Sequence, residues 1–239
     1  MYPQIRFRSI ITGEMVTKRL EGMGKRSGKQ DVSDVARKTL KVAVLIPSFS
    51  GFWPAKFGES LANMVQHFQK SDFEGEHEIK VFAQSGRVIP EIRHHLIGDA
   101  IGWEATHVLF LSTGLVFPED SLHRMLARGR AVLGVNYLRN PSFGEFAAYR
   151  GNGTVVPDPS SPATEEVDGV ALGMVLFNMP VFDVLDIPFF EYKQIGSTPG
   201  FQEDHIPFWD QCKEKVIPCV IDHVLSQDVK ALNYGETWH

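Results

Sequence analysis

Two neighbouring carboxylates, Glu203 and Asp204, stand where a segment of helical character begins, ahead of Ile206, Trp209 and Cys212. Such a pair can take up a proton from a reacting group. It can equally just favour the positive end of the helix, at about 0.3–1 kcal/mol per charge. The cations Lys56, Arg87 and Arg93 lie on or beside segments that flank strand ends, where positive groups and helix N-termini can clamp phosphate. His94-His95 and Asp222-His223 are metal-ligating residue types. Adjacent pairs of this kind are better read as a helix surface pair and a strand end with satisfied side chains. Phe52, Trp53, Phe189 and Phe190 could stack on a sugar or base, but burial in the core is the default expectation for such rings. The two cysteines, Cys212 and Cys219, have neither zinc spacing nor Cys-x-x-Cys spacing, and read as reduced, buried thiols of a cytoplasmic protein. No G-x-x-x-x-G-K-[ST] phosphate loop and no G-x-S-x-G nucleophile elbow occurs.

The elements that must carry these residues alternate strand with helix. LKVAVLIP (40–47) is a nearly continuous apolar run, as a strand buried on both faces would be. Leu61, Met64, Val65 and Phe68 then recur at helical spacing. HEIKVFAQ (77–84) predicts a second strand and VIPEIRHHLIGDAI (88–101) a second helix. THVLFLS (106–112) predicts a third strand, followed by a helix opening near Pro118 with Glu119 and Asp120 in its first turn. AVLGVNY (131–137) reads as a fourth strand. Strands separated by helices pair in parallel through right-handed crossovers. Open sheets of this type bind ligands beyond the carboxyl ends of their strands, here Ser48–Gly51, Gln84–Arg87 and Ser112–Gly114. In the second half, 151–166 reads as a polar loop and 167–186 as a strand running into a short helix. A helix over 201–215 and a strand over 216–229 follow.

With 239 residues, 43% of them hydrophobic, the chain can bury one sizeable core but hardly two. No apolar run approaches the roughly 20 residues of a membrane span, and the first residues lack the order of a secretory signal. The net charge of -5 argues against general nucleic-acid binding by the body. It conceals a basic stretch: Arg6, Arg8, Lys18, Arg19, Lys25, Arg26 and Lys29 face only Glu14 and Glu21. The expected organisation is therefore a basic arm and linker over 1–38 and one folded domain over 39–239. The arm is either a solvated tail or a contact for phosphate, on nucleic acid or an anionic surface.

Several segments, taken in order, resemble a GT-A-fold glycosyltransferase of the family 2-like group. They are Ile46-Pro47 at the end of the first strand; Ile92-Arg93-His94; LFLSTGLVFPEDSL (109–122); VDGVALGMVLF (167–177); and PFFEY (188–192) followed by EDHIPFWDQC (203–212). The resemblance spans about 40–235. It implies an open, mainly parallel sheet flanked by helices, with a less regular acceptor-side second half. It also implies transfer of a sugar from a nucleotide sugar to an acceptor hydroxyl, with inversion. By resemblance Asp204 is the base, with Glu203 its neighbour. Pro47, Ser48, Arg87, Arg93, Ser112, Thr113 and Gly114 meet the donor, and Asp168 and Gly173 meet the acceptor.

The departures matter as much. The family holds Mn²⁺ or Mg²⁺ with an Asp-x-Asp after the third strand and often with a later histidine. Here Ser112-Thr113-Gly114 and Ala231 stand in those places, and hard cations want carboxylate oxygens. The expectation is a transferase with no cofactor and no usual divalent metal, its diphosphate held by cations or helix N-termini. The alternative is a non-catalytic module that binds a nucleotide sugar or serves in assembly. A metal recruited through Asp222, His223 and His94 or His95 is a third account. Nucleotidyl transfer is disfavoured, because IPSFSGFWPAKFG (46–58) lacks a dense glycine loop. Asp204→Asn is expected to leave stability nearly unchanged, since asparagine also caps helices.

Overall fold

The computed structural model describes residues 6–8, 15–17, 39–73, 75–140, 143–157, 160–194 and 203–232. The chain divides into two units, Met1–Ala36 and Arg37–His239. In the first, β1 (Arg6–Arg8) and β2 (Met15–Thr17) form an antiparallel pair, Phe7 opposite Val16. The basic run Lys18–Lys29 and the linker expected there lie outside the described residues.

The second unit starts with β3 (Leu40–Ser48), whose residues Val42 to Ile46 are completely buried. That burial on both faces explains the unbroken apolar run, because β3 lies between two parallel neighbours. Helix α1 (Ala55–Lys70) packs Phe57, Leu61, Met64 and Phe68 inward. Strand β4 (His77–Ser85) pairs with β3 over nine residues, and helix α2 (Ile89–Gly102) leads to β5 (His107–Leu111) on the other side of β3. The short β6 (Leu115–Val116) and α3 (Ser121–Ala127) follow. The expected helix start at Pro118 is corrected by three residues. The Pro118 carbonyl accepts from Ser121 N (3.2 Å) and Ser121 Oγ (2.6 Å), closing a turn before the helix begins.

Strand β7 (Val132–Gly134) is shorter than the expected 131–137. Small strands β8 (Leu138–Asn140), β9 (Glu145–Phe146), β10 (Ala148–Arg150) and β11 (Gly153–Thr154) follow. Residues 151–166 are not loop throughout, because β12 (Thr164–Val167) joins the main sheet. After β13 (Gly169–Val170) come β14 (Met174–Asn178) and the short α4 (Pro180–Val184). Helix α5 (His205–Glu214) leads to β15 (Cys219–Asp222), the one-turn α6 (His223–Ser226) and β16 (Lys230–Ala231). The strand expected over 216–229 therefore ends at Asp222, where that carboxylate accepts from the Val224 and Leu225 amides and starts a helical turn.

The main sheet has seven strands in the order β12-β15-β7-β14-β5-β3-β4. Five run in one direction; β12 and β14 oppose them. β14 is the wedge between two parallel groups, with Met174, Val175, Leu176 and Phe177 all buried. The mixed α/β class is as expected. An aromatic cluster over β5 and β14 joins Phe110, Phe177, Phe190, Phe208 and Trp209, with Phe190 stacked on Phe208 at 5.0 Å. Phe208 and Phe190 thereby seat α5 and the 188–190 segment on the sheet. No helix among the described residues is long and apolar enough to cross a membrane.

Candidate functional site

The carboxyl ends of β3, β4 and β5 lie at one end of the sheet, because all three strands are parallel. Beyond β3, Ser48 Oγ accepts from Gly51 N (3.0 Å), which folds the chain back tightly, with Gly51 at φ +74°. Ser48 itself is buried and Pro47 half-buried. A cavity of about 170 Å³ opens between Ile46, Ser48, Trp53, Ala83, Gln84 and Ser85. The rings around it depart from the expected core burial: Phe52 is 84% and Trp53 38% exposed, whereas Phe189 and Phe190 are buried. Lys56 and Arg87 are exposed and make no ion pair among the described residues.

The end of β5 is a corner pinned from two sides. Ser112 N donates to the Gly173 carbonyl and Leu232 N to the Gly114 carbonyl, both at 2.7 Å. Pairing of β6 with β16 sets Leu115 opposite Ala231. Ser112-Thr113-Gly114 and Ala231, far apart in sequence, thus come together in space. Among the described residues the corner offers hydroxyls and backbone oxygens and no carboxylate, the group hard divalent cations favour. Among the described residues no three His, Cys, Asp or Glu side chains are grouped to hold a metal. Gly173 is buried, and a Cβ there would fall 2.1 Å from Tyr137 Oη. It gives Tyr137 a seat.

Asp204 is where the structure departs furthest from the expectation for the helix start. It occupies the cap position of α5 with helical φ/ψ (-61°, -19°) and makes no side-chain cap bond. Its carboxylate Oδ2 instead accepts a charge-assisted hydrogen bond from Arg93 of α2, 111 residues earlier. The two side chains are 8% and 11% exposed. Near-neutrality of Asp204→Asn on capping grounds is therefore withdrawn. Arg93 lies over the Phe190 ring at 5.8 Å, and its Nε is buried without a partner among the described residues. His94, next on α2, fixes the same segment: its Nε2 is 3.0 Å from the Phe190 carbonyl, and Phe189 stacks on its ring at 5.6 Å. Burial lowers the His94 pKa, against the opposing effect of the bond to Phe190.

Glu203 is more exposed and is held by Arg139 (2.6 Å), with His205 Nδ1 at 3.3 Å. Arg139 also binds Glu145, which ties the β8–β9 hairpin to the head of α5. Burial lowers the pKa of His205, while Glu203 pulls the other way. Tyr137 is buried near these charges, and burial pushes its hydroxyl up to about 12. Tyr192 lies within reach of Asp204, Arg93 and Glu203 and is raised, chiefly by burial. The acidic pair is thus met by two arginines and a histidine, with the two tyrosines in the electrostatic field of these charges. Arg139, Tyr137, Tyr192 and His205 were not picked out from the sequence. Tyr137 and Arg139 had a usable signal, since the first ends the predicted fourth strand and the second lies just beyond it, where the ligand rule applies as it does to the other three.

Asp168 is not part of this group. It follows β12 beside Cys219, at the amino end of β15. There its carboxylate accepts from Gly151 N (2.6 Å) and faces Lys213 Nζ at 3.7 Å. Asp222 is clasped by Arg128 (2.7 and 3.3 Å), and His223 Nε2 meets Glu165 at 2.8 Å. Asp222 is thereby satisfied within the fold, whereas His223 Nδ1 is buried without a hydrogen-bond partner among the described residues. His95 pairs with Gln84 at 3.1 Å. The cysteines are free and buried, and burial pushes the Cys212 thiol up to about 12.

No protein-family model and no curated protein matches the chain. Among solved structures, A197 from STIV superposes with a TM-score of 0.51 at 14% identity, over 81% of this chain and 94% of that one. That likeness shows a shared fold. The catalytic domain of Drosophila beta1,4galactosyltransferase 7 gives 0.48 at 12% identity, over 79% of this chain and 68% of that one. S. aureus TarS 1-349 gives 0.43 at 13%, and the chain spans 60% of its length.

Proposed function

We propose that the chain is a GT-A-like glycosyltransferase that moves a sugar from a nucleotide sugar to an acceptor hydroxyl with inversion and without the family's usual metal. The observation that carries this reading is the meeting of Asp204 and Glu203 with Arg93 and Arg139 at the ligand-binding end of the sheet. In this reading the nucleoside lies over the β3 and β4 ends, between Pro47, Ser48 and the exposed Trp53 ring. The diphosphate lies toward Ser112-Thr113-Gly114, with Arg87, Arg93 and Lys56 offsetting its charge in place of a metal. The acceptor oxygen attacks the anomeric carbon as the bond to the diphosphate breaks. The nucleoside diphosphate leaves with that electron pair, and the proton of the acceptor hydroxyl passes to Asp204.

Arg93 serves both partners. It holds Asp204, and an arriving diphosphate would compete for the same guanidinium, so the donor would release the base it needs. Asp168, tied to Gly151 and Lys213, drops out of the acceptor role, and Gly173 acts by seating Tyr137. The closed Arg93–Asp204 pair also favours a second reading, a binding module in which the would-be base is permanently engaged.

The test is a scan of nucleotide-sugar donors by thermal shift, with and without EDTA. A donor that raises the melting temperature equally in both conditions supports the proposal, since a ligand of the native state stabilises it by mass action. Affinity that collapses on chelation and returns with Mn²⁺ refutes metal independence. Donor binding without transfer to any acceptor supports the binding module.

A further inference from the structure

β4 is the terminal strand of the seven-stranded sheet, and among the described residues nothing pairs with its outer edge. The direction of its free backbone groups follows from two hydrogen bonds. Gly86 N donates to the Ser48 carbonyl (3.0 Å) and Leu40 N to the Glu76 carbonyl (2.9 Å). In a parallel pair, the N–H and C=O of one residue point to the same side and alternate along the strand. The even-numbered residues of β4 therefore face β3, and Ile79, Val81 and Ala83 present their N–H and C=O outward.

Natural edges are usually blunted by shortness, proline, a bulge or a projecting charge. β4 has nine residues, HEIKVFAQS, with no proline or glycine and an unshifted register against β3. Its one lysine does not guard the edge: Lys80 Nζ lies 4.8 Å over the Phe82 ring and 6.0 Å from the Trp103 ring. Val81 at the centre is 37% exposed.

We propose that this edge is a homodimer interface, on which β4 of a second copy docks antiparallel about a twofold axis through Val81. The strand is complementary to itself in that register. The outward-facing residues pair Val81 with Val81, Ile79 with Ala83 and His77 with Ser85, each exchanging two backbone hydrogen bonds. Ile79, Val81 and Ala83 of both copies make an apolar strip on the α1 side of the sheet. On the α2 side, the closer non-hydrogen-bonded pairs set Lys80 opposite Phe82 and Glu78 opposite Gln84. No like charges stand directly opposite. The two Lys80 side chains are diagonal neighbours, each drawn over its own aromatic rings with Glu78 two residues away on the same face. The arrangement is isologous and closes on itself, giving one continuous sheet of fourteen strands and no further growth at that edge.

The test is the solution mass of the full chain by light scattering across a concentration series. Twice 26.8 kDa is expected. Val81→Lys and Val81→Glu each place like charges opposite one another at the axis, so each variant alone is expected as a monomer. An equimolar mixture of the two should regain the dimer, because the charges then oppose. Val81→Pro removes a central outward N–H that β3 does not use, and should also give a folded monomer by circular dichroism. A wild-type monomer at every concentration overturns the proposal. So does a dimer that survives in both charge variants, or a mixture that stays monomeric.

Discussion

Arg93→Met is the most informative single substitution, because it separates the pairing of Asp204 from its place on a helix. The change preserves length and the contact with the Phe190 ring, and removes the charge. It leaves the Asp204 carboxylate, 8% exposed, without the cation that now holds it. Removing one partner of a buried pair costs about 3–5 kcal/mol, because the other charge stays desolvated. For a body of some 200 residues each kcal/mol moves Tm by about 2–4 °C, so the fall should be about 6–20 °C. Asp204→Asn keeps an amide oxygen that can still accept from the guanidinium and should cost less, about 1–3 kcal/mol. The double variant removes both charges and should be more stable than the sum of the singles predicts, by about 0.5–3 kcal/mol. Urea unfolding of wild type, both singles and the double closes the cycle. Additivity within about 0.5 kcal/mol would refute the pairing argument and with it the idea that Arg93 restrains the base.

Three further expectations follow from individual contacts. Gly173→Ala would put a Cβ 2.1 Å from Tyr137 Oη and 2.7 Å from its Cζ, so the buried ring must shift; urea unfolding should show a loss of about 1–3 kcal/mol. Burial lowers the pKa of His94, His107 and His205 in the fold, so these groups are neutral there while the unfolded chain still takes up protons near pH 6.5. Their stabilising effect is complete above that pH and is lost as pH falls through the depressed folded values; a stability that rises between pH 7 and pH 5 would contradict this. Removal of residues 1–38 should leave the unfolding transition of 39–239 in place, and a large fall in Tm would show that the boundary is misplaced.

Much of the sheet could be read from the sequence because burial writes itself into residue type. Val42 to Ile46 had to be central since nothing in the run tolerates water, whereas the segment 77–84 was legible as a strand but not as the edge of the sheet. The insertion of β14 between β5 and β7 left no such mark. A strand buried on both faces reads the same whether its neighbours run with it or against it. The corner at Ser112–Gly114 was legible as the end of a strand, and the fold adds that Ala231 is brought beside it. The Arg93–Asp204 pair was not legible as a contact: both residues were picked out, but for separate roles. Nothing local tells an acid at a helix start whether it will cap its own amides or reach a distant arginine. Asp222 and Asp204 make opposite choices, the first bonding two amides of α6 and the second none of α5.

The antiparallel wedge has a consequence for how the molecule is made. β3, β4 and β5 can pair as soon as residue 111 has been synthesised. β7 finds no neighbour on that half-sheet until Met174–Asn178 arrives to bridge them. For some sixty residues of synthesis, the flank of β5 that β14 will cover stays bare, apolar from Val108 to Leu111, a template for any passing strand. The order of the strands thus makes a chain cut short before Met174 a candidate for aggregation, where one that ends after Asn178 has its seam closed.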